Sequence, residues 1–358
     1  MHVISPAIIG FFITAALLLV LRPLALRIDL VDRPGGRKAH NGQVPIIGGI
    51  SMLGGLLTGA LMGGQLGPHG VVIVVAAIFV VVVGLLDDLF EIAASHRLFA
   101  HAAAAIALAF GTGFLVPDLG DLIGFGTASL GWLALPFTVI SCIALINAFN
   151  MLDGLDGLAG GSAMVALAGF LALALLNGAT TSAILSASLF GACVGFLMFN
   201  LPTKFNRKLR TFMGDGGSTL LGFLLACIAL ILVQPAHANI PPVVVLWLLP
   251  IPIFELFATT IRRLLRGMPA MAADTGHAHY LLVEAGFSVR LIFVLYVLVS
   301  TAAAFFGIAA FQEGMSEPLL FGLFVAFFVV WLAFIRLAPH IGAVLPPMLR
   351  RSAEKLTH

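Results

Sequence analysis

Long apolar runs follow one another along nearly the whole chain, and charged side chains are confined to the gaps between them. A membrane-spanning helix needs roughly 17 to 25 mostly apolar residues. Eleven stretches meet that length, at about 3 to 22, 45 to 63, 70 to 86, 97 to 117, 127 to 147, 158 to 176, 181 to 199, 215 to 233, 240 to 262, 289 to 311 and 317 to 337. Only 9% of the 358 residues are charged and 61% are hydrophobic, whereas a soluble domain carries about 25% charged residues. Too few charges exist to cover a water-facing surface. The unbroken runs exclude the alternation of a membrane β-barrel, and the apolar excess excludes disorder. The expected fold is all-α, a polytopic membrane protein with about eleven transmembrane helices. No cleavable signal peptide is expected, because the first run lacks a basic start and a small-residue cleavage site. With no internal repeat and no long linker, residues 1–358 read as a single domain.

The eighteen Lys and Arg residues decide how the chain is threaded. Arg22, Arg27, Arg33, Arg37 and Lys38 follow the first stretch, and Arg97 follows the third. Lys204, Arg207, Lys208 and Arg210 follow the seventh; Arg262, Arg263, Arg266 and Arg290 separate the ninth from the tenth; Arg336, Arg350, Arg351 and Lys355 close the chain. With eleven spans all of these fall on one side, while alternate loops such as GGQLGPH at 63–69 and QPAHAN at 234–239 hold none. The positive-inside rule then puts the N-terminus outside and the C-terminus in the cytoplasm.

Most acidic residues lie towards the same side, many inside or beside spans, where dehydration makes an ionisable group costly and a functional reading the default. GLLDDLFE places Asp87 and Asp88 at the end of the third span. NAFNMLDGLDGLAGG follows the fifth and supplies Asn147, Asn150, Asp153 and Asp156; FMGDGGS supplies Asp215 at the start of the eighth; DTGHAHYLL supplies His277 and His279. Paired hard oxygen donors, with glycines that let backbone approach phosphate, suit a diphosphate held by magnesium. Phosphoryl transfer at such a site works by positioning and charge neutralisation. The three cysteines, Cys142, Cys193 and Cys227, lie within apolar runs and read as small core residues. Asn147, Asn150 and Asp153 are three apart, so a helical end puts them on one face, and Gly154 and Gly157 break that helix into a polar loop. Plainer readings also exist. Asp87 and Asp88 can cap a span, and Asp215 a helix. The basic clusters Lys204–Arg210 and Arg262–Arg266 are best read as topology determinants.

Taken in order, DRPGGRKAHNGQVPIIGGI at 32–50, the Asp87–Asp88 pair, NAFNMLDGLDGLAGG, FMGDGGSTLLGF and HAHYLL resemble the polyprenyl-phosphate N-acetylhexosamine-1-phosphate transferase superfamily (MraY/WecA-like). NAFNMLDGLDG, RKAH and the paired Arg262 and Arg263 are most similar to its UDP-GlcNAc branch. Glu91 stands where the acidic motif usually ends in Asp or Asn, and Tyr280 where that branch commonly has another histidine. The resemblance implies ten or eleven helices with an outside N-terminus. It also implies transfer of N-acetylglucosamine 1-phosphate from UDP-GlcNAc to undecaprenyl phosphate with release of UMP, at the cytoplasmic face of a bacterial inner membrane. The residue roles it implies are Asp215 and Asn150 as magnesium ligands, with manganese as a substitute, and Asp87 as the base for the lipid phosphate, supported by Asp88. Lys38, Asp156 and Phe212 are implied for the uridine, with Phe212 stacking on the base. Asn147 and Asp153 are implied to order the loop near ribose and diphosphate, and His277, His279 and Arg263 to meet the sugar phosphate.

Another UDP-N-acetylhexosamine or UDP-MurNAc-pentapeptide as donor is the nearest alternative. A secondary carrier is the competing class, but carriers place ionisable groups near the bilayer midplane, and here they gather at one face. The expected partners are the UDP-sugar, undecaprenyl phosphate and membrane lipid, with no nucleic acid; a homodimer is compatible with the sequence.

Overall fold

The computed structural model describes residues 3–33, 42–64, 67–203, 208–235, 240–269 and 276–350. Lys38, Lys204, Arg207, Arg351 and Lys355 lie outside the described residues. The described residues are all-α apart from one antiparallel pair of strands, β1 (Val31–Asp32) with β2 (Val44–Pro45), in the register Val31 to Pro45. The helices are α1 (Ile4–Arg27), α2 (Gly48–Met62), α3 (Pro68–Phe90), α4 (Ala94–Thr112), α5 (Ala134–Leu152), α6 (Leu158–Leu176), α7 (Thr180–Asn200), α8 (Gly214–Val233), α9 (Pro242–Leu248), α10 (Pro250–Leu265), α11 (Ala278–Glu284), α12 (Val289–Gln312) and α13 (Glu317–Val344). A helix closes its own backbone hydrogen bonds, which is why apolar sequence adopts it in lipid.

Each of the eleven apolar stretches contains a helix, but they are not equal. Among the described residues, eight helices are long and apolar enough to cross a membrane, or nine if a bent pair is counted as one span. That is a polytopic membrane protein. Of the other stretches, α2 is apolar but only 15 residues long, and α4 carries His96, Arg97 and His101. The ninth stretch departs from the straight span expected over 240 to 262: α9 and α10 meet at 90°. The break falls at Leu249 (φ −126°, ψ 36°), directly before Pro250, where the proline ring excludes the helical conformation of its predecessor.

α8 is the axis of the bundle, with almost all of its residues buried, and α2, α3, α5, α6 and α7 pack against it. By contrast α1 and α13 leave most of their length uncovered, as lipid-facing helices do. Small residues set the closeness of the inner helices. A Cβ on Gly84 of α3 would collide with the backbone of Gly216. This contact lets the end of α3 lie on the start of α8 and so brings Asp87 and Asp88 to Asp215.

Candidate active site

At one end of the bundle the ends of α3, α5 and α10 and the starts of α4, α8 and α11 are tied together by side-chain hydrogen bonds. The segment before α8 adds to this end. Phe212 N–H donates to the Pro45 carbonyl (2.9 Å), and Gly48 N–H to the Phe212 carbonyl (3.0 Å).

The first group of residues surrounds Asp215, in the first turn of α8. Asn150 Nδ2 donates to Asp215 Oδ1 (2.7 Å) and to Ser218 Oγ (3.1 Å). The Arg97 guanidinium, from α4, pairs with the buried carboxylate of Asp87 and lies 3.4 Å from Asp215 Oδ2. Asp88 does something different. Its carboxylate accepts the backbone N–H groups of Asp215 (3.0 Å) and Gly216 (3.4 Å), so α3 supplies the cap of α8. The plainer reading, in which Asp215 caps this helix, is therefore replaced: Asp215 sits inside the turn that Asp88 caps, and its carboxylate is left for the site. Gly214 must be glycine here, since it has φ +71° and a Cβ would fall 2.6 Å from Asp88 Oδ2.

The α5–α6 turn brings in the second group. α5 ends at Leu152, Gly157 takes φ +79°, and its N–H is held by Asn200 Oδ1 (2.6 Å), while Asn200 Nδ2 donates to the Thr211 carbonyl (3.0 Å). Asp156 forms an ion pair with Arg210, whose guanidinium lies over the Phe212 ring at 5.1 Å from its centre. Asp153 is within the field of the first group. Its carboxyl is held well above the usual carboxylate range, by burial first and then by the negative charges of Asp215, Asp88 and Asp156. Asn147 is half-buried on α5, one turn before Asn150.

The histidine motif forms the third group, and it turns into a helix, whereas in an extended strand His277 and His279 would share one face. His277 precedes α11 and His279 lies in its first turn. Their rings are nevertheless nearly parallel, with centres 5.5 Å apart. Both are buried against α10, on which Glu255, Thr259 and Arg263 recur at four-residue spacing on the buried face. Thr259 Oγ1 lies 3.3 Å from His277 Nδ1. Tyr280, in the place of a further histidine, donates its hydroxyl to the Gly154 carbonyl (3.3 Å) and so joins α11 to the α5–α6 turn.

The structure thus brings together Asp87, Asp88, Asn150, Asp153 and Asp215, sets Asp156 beside Phe212, and sets His277 and His279 beside Arg263's helix. It adds residues that the sequence reading passed over. Arg97 and Arg210 had each been counted only as topology determinants, and Glu255 and Thr259 had no role. The four-residue spacing of Glu255, Thr259 and Arg263 was the available signal. For a divalent cation the donor set is suitable, being hard carboxylate and amide oxygens around Asp215. Among the described residues no three acidic, histidine or cysteine side chains converge to enclose an ion.

The glycosyl transferase family 4 signature matches residues 71–233 of the chain. The undecaprenyl-phosphate alpha-N-acetylglucosaminyl 1-phosphate transferase of Yersinia pestis is 34% identical over 95% of this chain and 93% of its own length. The protein of the same name from Escherichia coli K12 is 33% identical with the same coverage. That of Haemophilus influenzae is 35% identical over 93% of this chain and 92% of its own.

Proposed function

The chain belongs to the polyprenyl-phosphate N-acetylhexosamine-1-phosphate transferases, in their GlcNAc branch, and from that premise we propose that it transfers N-acetylglucosamine 1-phosphate from UDP-GlcNAc to undecaprenyl phosphate. The observation that carries this reading is the meeting of Asp87 and Asp215, from two different helices, at a single guanidinium, that of Arg97, with Asn150 of a third helix bonded to Asp215.

In this reading an oxygen of the lipid phosphate attacks the β-phosphorus of UDP-GlcNAc. A new P–O bond forms, the bond from the β-phosphorus to the bridging oxygen breaks, and UMP leaves with that oxygen. The nucleophile is already anionic near neutral pH, so alignment and charge cancellation are what the protein must supply. Asp87 aligns the acceptor or takes its last proton, and Arg97 holds Asp87 in place. Asp215, with the amide oxygen of Asn150, would hold magnesium, and the ion would supply positive charge to neutralise the diphosphate. Asp156, Arg210 and the ring face of Phe212 away from Arg210 receive the uridine, with Lys38. Asn147 and Asp153 order the turn beneath the ribose and diphosphate. His277, His279 and Arg263 face the sugar phosphate. A two-step route through a phospho-aspartate needs a carboxylate with free access to the β-phosphorus, and Asp87 is engaged by Arg97 and buried.

We further take α2, α4 and the bent α9–α10 pair to complete eleven crossings, with the N-terminus outside and the site at the cytoplasmic face of a bacterial inner membrane; the one-sided placement of Lys and Arg supports this. The test is to supply the purified protein with UDP-GlcNAc, undecaprenyl phosphate and magnesium. UMP and a lipid-linked GlcNAc diphosphate are expected, with slower turnover of other UDP-sugars. Faster turnover of UDP-MurNAc-pentapeptide, or UMP release that ignores the lipid, would contradict the reading.

A further inference from the structure

Glu255 is fully buried on α10, away from the carboxylates around Asp215. A carboxylate so placed is costly unless its lone pairs are met, and here four donors meet them. The backbone N–H of Ala278 reaches Oε2 at 2.9 Å. The backbone N–H of His279 (3.1 Å), its ring Nδ1 (3.2 Å) and the Tyr296 hydroxyl (2.7 Å) all reach Oε1. Two of these donors are backbone amides of the histidine motif and a third is the histidine ring itself. The carboxylate therefore fixes where α11 starts and how the His279 ring is turned.

The ring's other nitrogen has the opposite character. His279 Nε2 is buried and has no hydrogen-bond partner among the described residues. It points at the α5–α6 turn, since a Cβ on Gly154 would lie 2.6 Å from it. A carboxylate only accepts, so Nδ1 must carry a proton, and Nε2 is the ring nitrogen left to face a substrate.

We propose that Glu255 is a positioning residue for phosphoryl transfer: it holds His279 with Nδ1 protonated and turns its Nε2 towards the sugar phosphate of the donor substrate. This rests on the function proposed above. Glu255 touches no substrate; it acts through His279.

The test uses the full chain, labelled with nitrogen-15 at histidine and held in lipid bilayers, with His279→Ala to assign the signal. A protonated Nδ1 at His279 is expected in the wild-type protein, and an unprotonated Nδ1 overturns the proposal even if no Glu255 variant can be prepared. In kinetics, Glu255→Gln should lower kcat roughly ten- to a hundredfold, the effect of losing a charge-assisted hydrogen bond, and leave UMP binding unchanged. Combined with His279→Ala it should be no slower than His279→Ala alone. Multiplying losses, or weakened UMP binding in Glu255→Gln, would mean that Glu255 merely holds the fold and would overturn the proposal. Absence of wild-type turnover would sink the functional reading, whereas the histidine signal tests Glu255 in the protein alone.

Discussion

Two carboxylate centres lie at the same end of this bundle and are built in opposite ways. Around Asp215, carboxylates from α3, the α5–α6 turn and α8 crowd together with Arg97 as the cation in contact with two of them, and Asp153 beside them is pushed towards its neutral form by burial and then by their charges. Around Glu255, one buried carboxylate has each oxygen engaged by donors of the protein itself. The difference lies in what is left over. The Asp215 centre carries surplus negative charge and half-exposed oxygens, so a cationic guest lowers its energy. The Glu255 centre is complete, so its charge serves to hold another side chain.

Substitutions on the two sides should separate these roles. Asp215→Asn is expected to have the largest effect, abolishing turnover while folding and membrane insertion survive. Activity above about a tenth of wild type would remove Asp215 from direct ligation, because loss of a metal ligand normally costs far more than one hydrogen bond. Asp87→Asn should come next, lowering kcat strongly with nearly unchanged affinity for UDP-GlcNAc. If nucleotide affinity falls instead, Asp87 belongs to the donor side.

Gly154→Ala probes the seam between the two centres. Its new methyl would press on His279 Nε2 and the Tyr280 hydroxyl, both 2.6 Å from the Cβ position, so a loss in kcat/KM of roughly tenfold is expected, about 1 to 2 kcal/mol. Unchanged kinetics would mean that the histidine motif can move away freely. The smallest effect is on stability. A carboxyl whose folded-state pKa is raised contributes stability below its unfolded value, and that contribution is lost as pH rises through the raised value. With magnesium omitted, Asp153→Asn should therefore raise the apparent melting temperature at pH 8 and change it little at pH 4. Destabilisation at pH 8 would show that Asp153 is paired in the metal-free protein.

Much of this was legible in the sequence, for reasons that differ by residue. Asp87, Asp88, Asn150, Asp153 and Asp215 stand out because polar side chains at that density beside membrane spans have few structural uses. Their meeting needed Gly84 and Gly216 at the α3–α8 contact, and helix contacts are invisible to hydropathy. Arg97 was hidden because a lone base in a loop expected on the positive side satisfies the positive-inside rule without further function, and Arg210 was hidden in the same way within a basic cluster. Glu255 was missed because the ninth stretch was read as one span, in which a single acid looks incidental. Hydropathy sums over a window and carries no direction, so it could not reveal the 90° turn at Leu249 that carries Glu255, Thr259 and Arg263 to the histidines. Asp88 was legible as a site residue, whereas its capping of α8 depends on a partner 127 positions away in sequence.

The most direct test of the central claim follows the β-phosphorus itself. UDP-GlcNAc radiolabelled at the β-phosphate is incubated with undecaprenyl phosphate, magnesium and either the wild-type protein or Asp215→Asn. The account predicts that wild type carries the label into the lipid fraction and releases unlabelled UMP, and that Asp215→Asn leaves the label on the nucleotide. Label remaining in water-soluble UDP while GlcNAc reaches the lipid would mean transfer of the sugar without its phosphate, and would contradict the account.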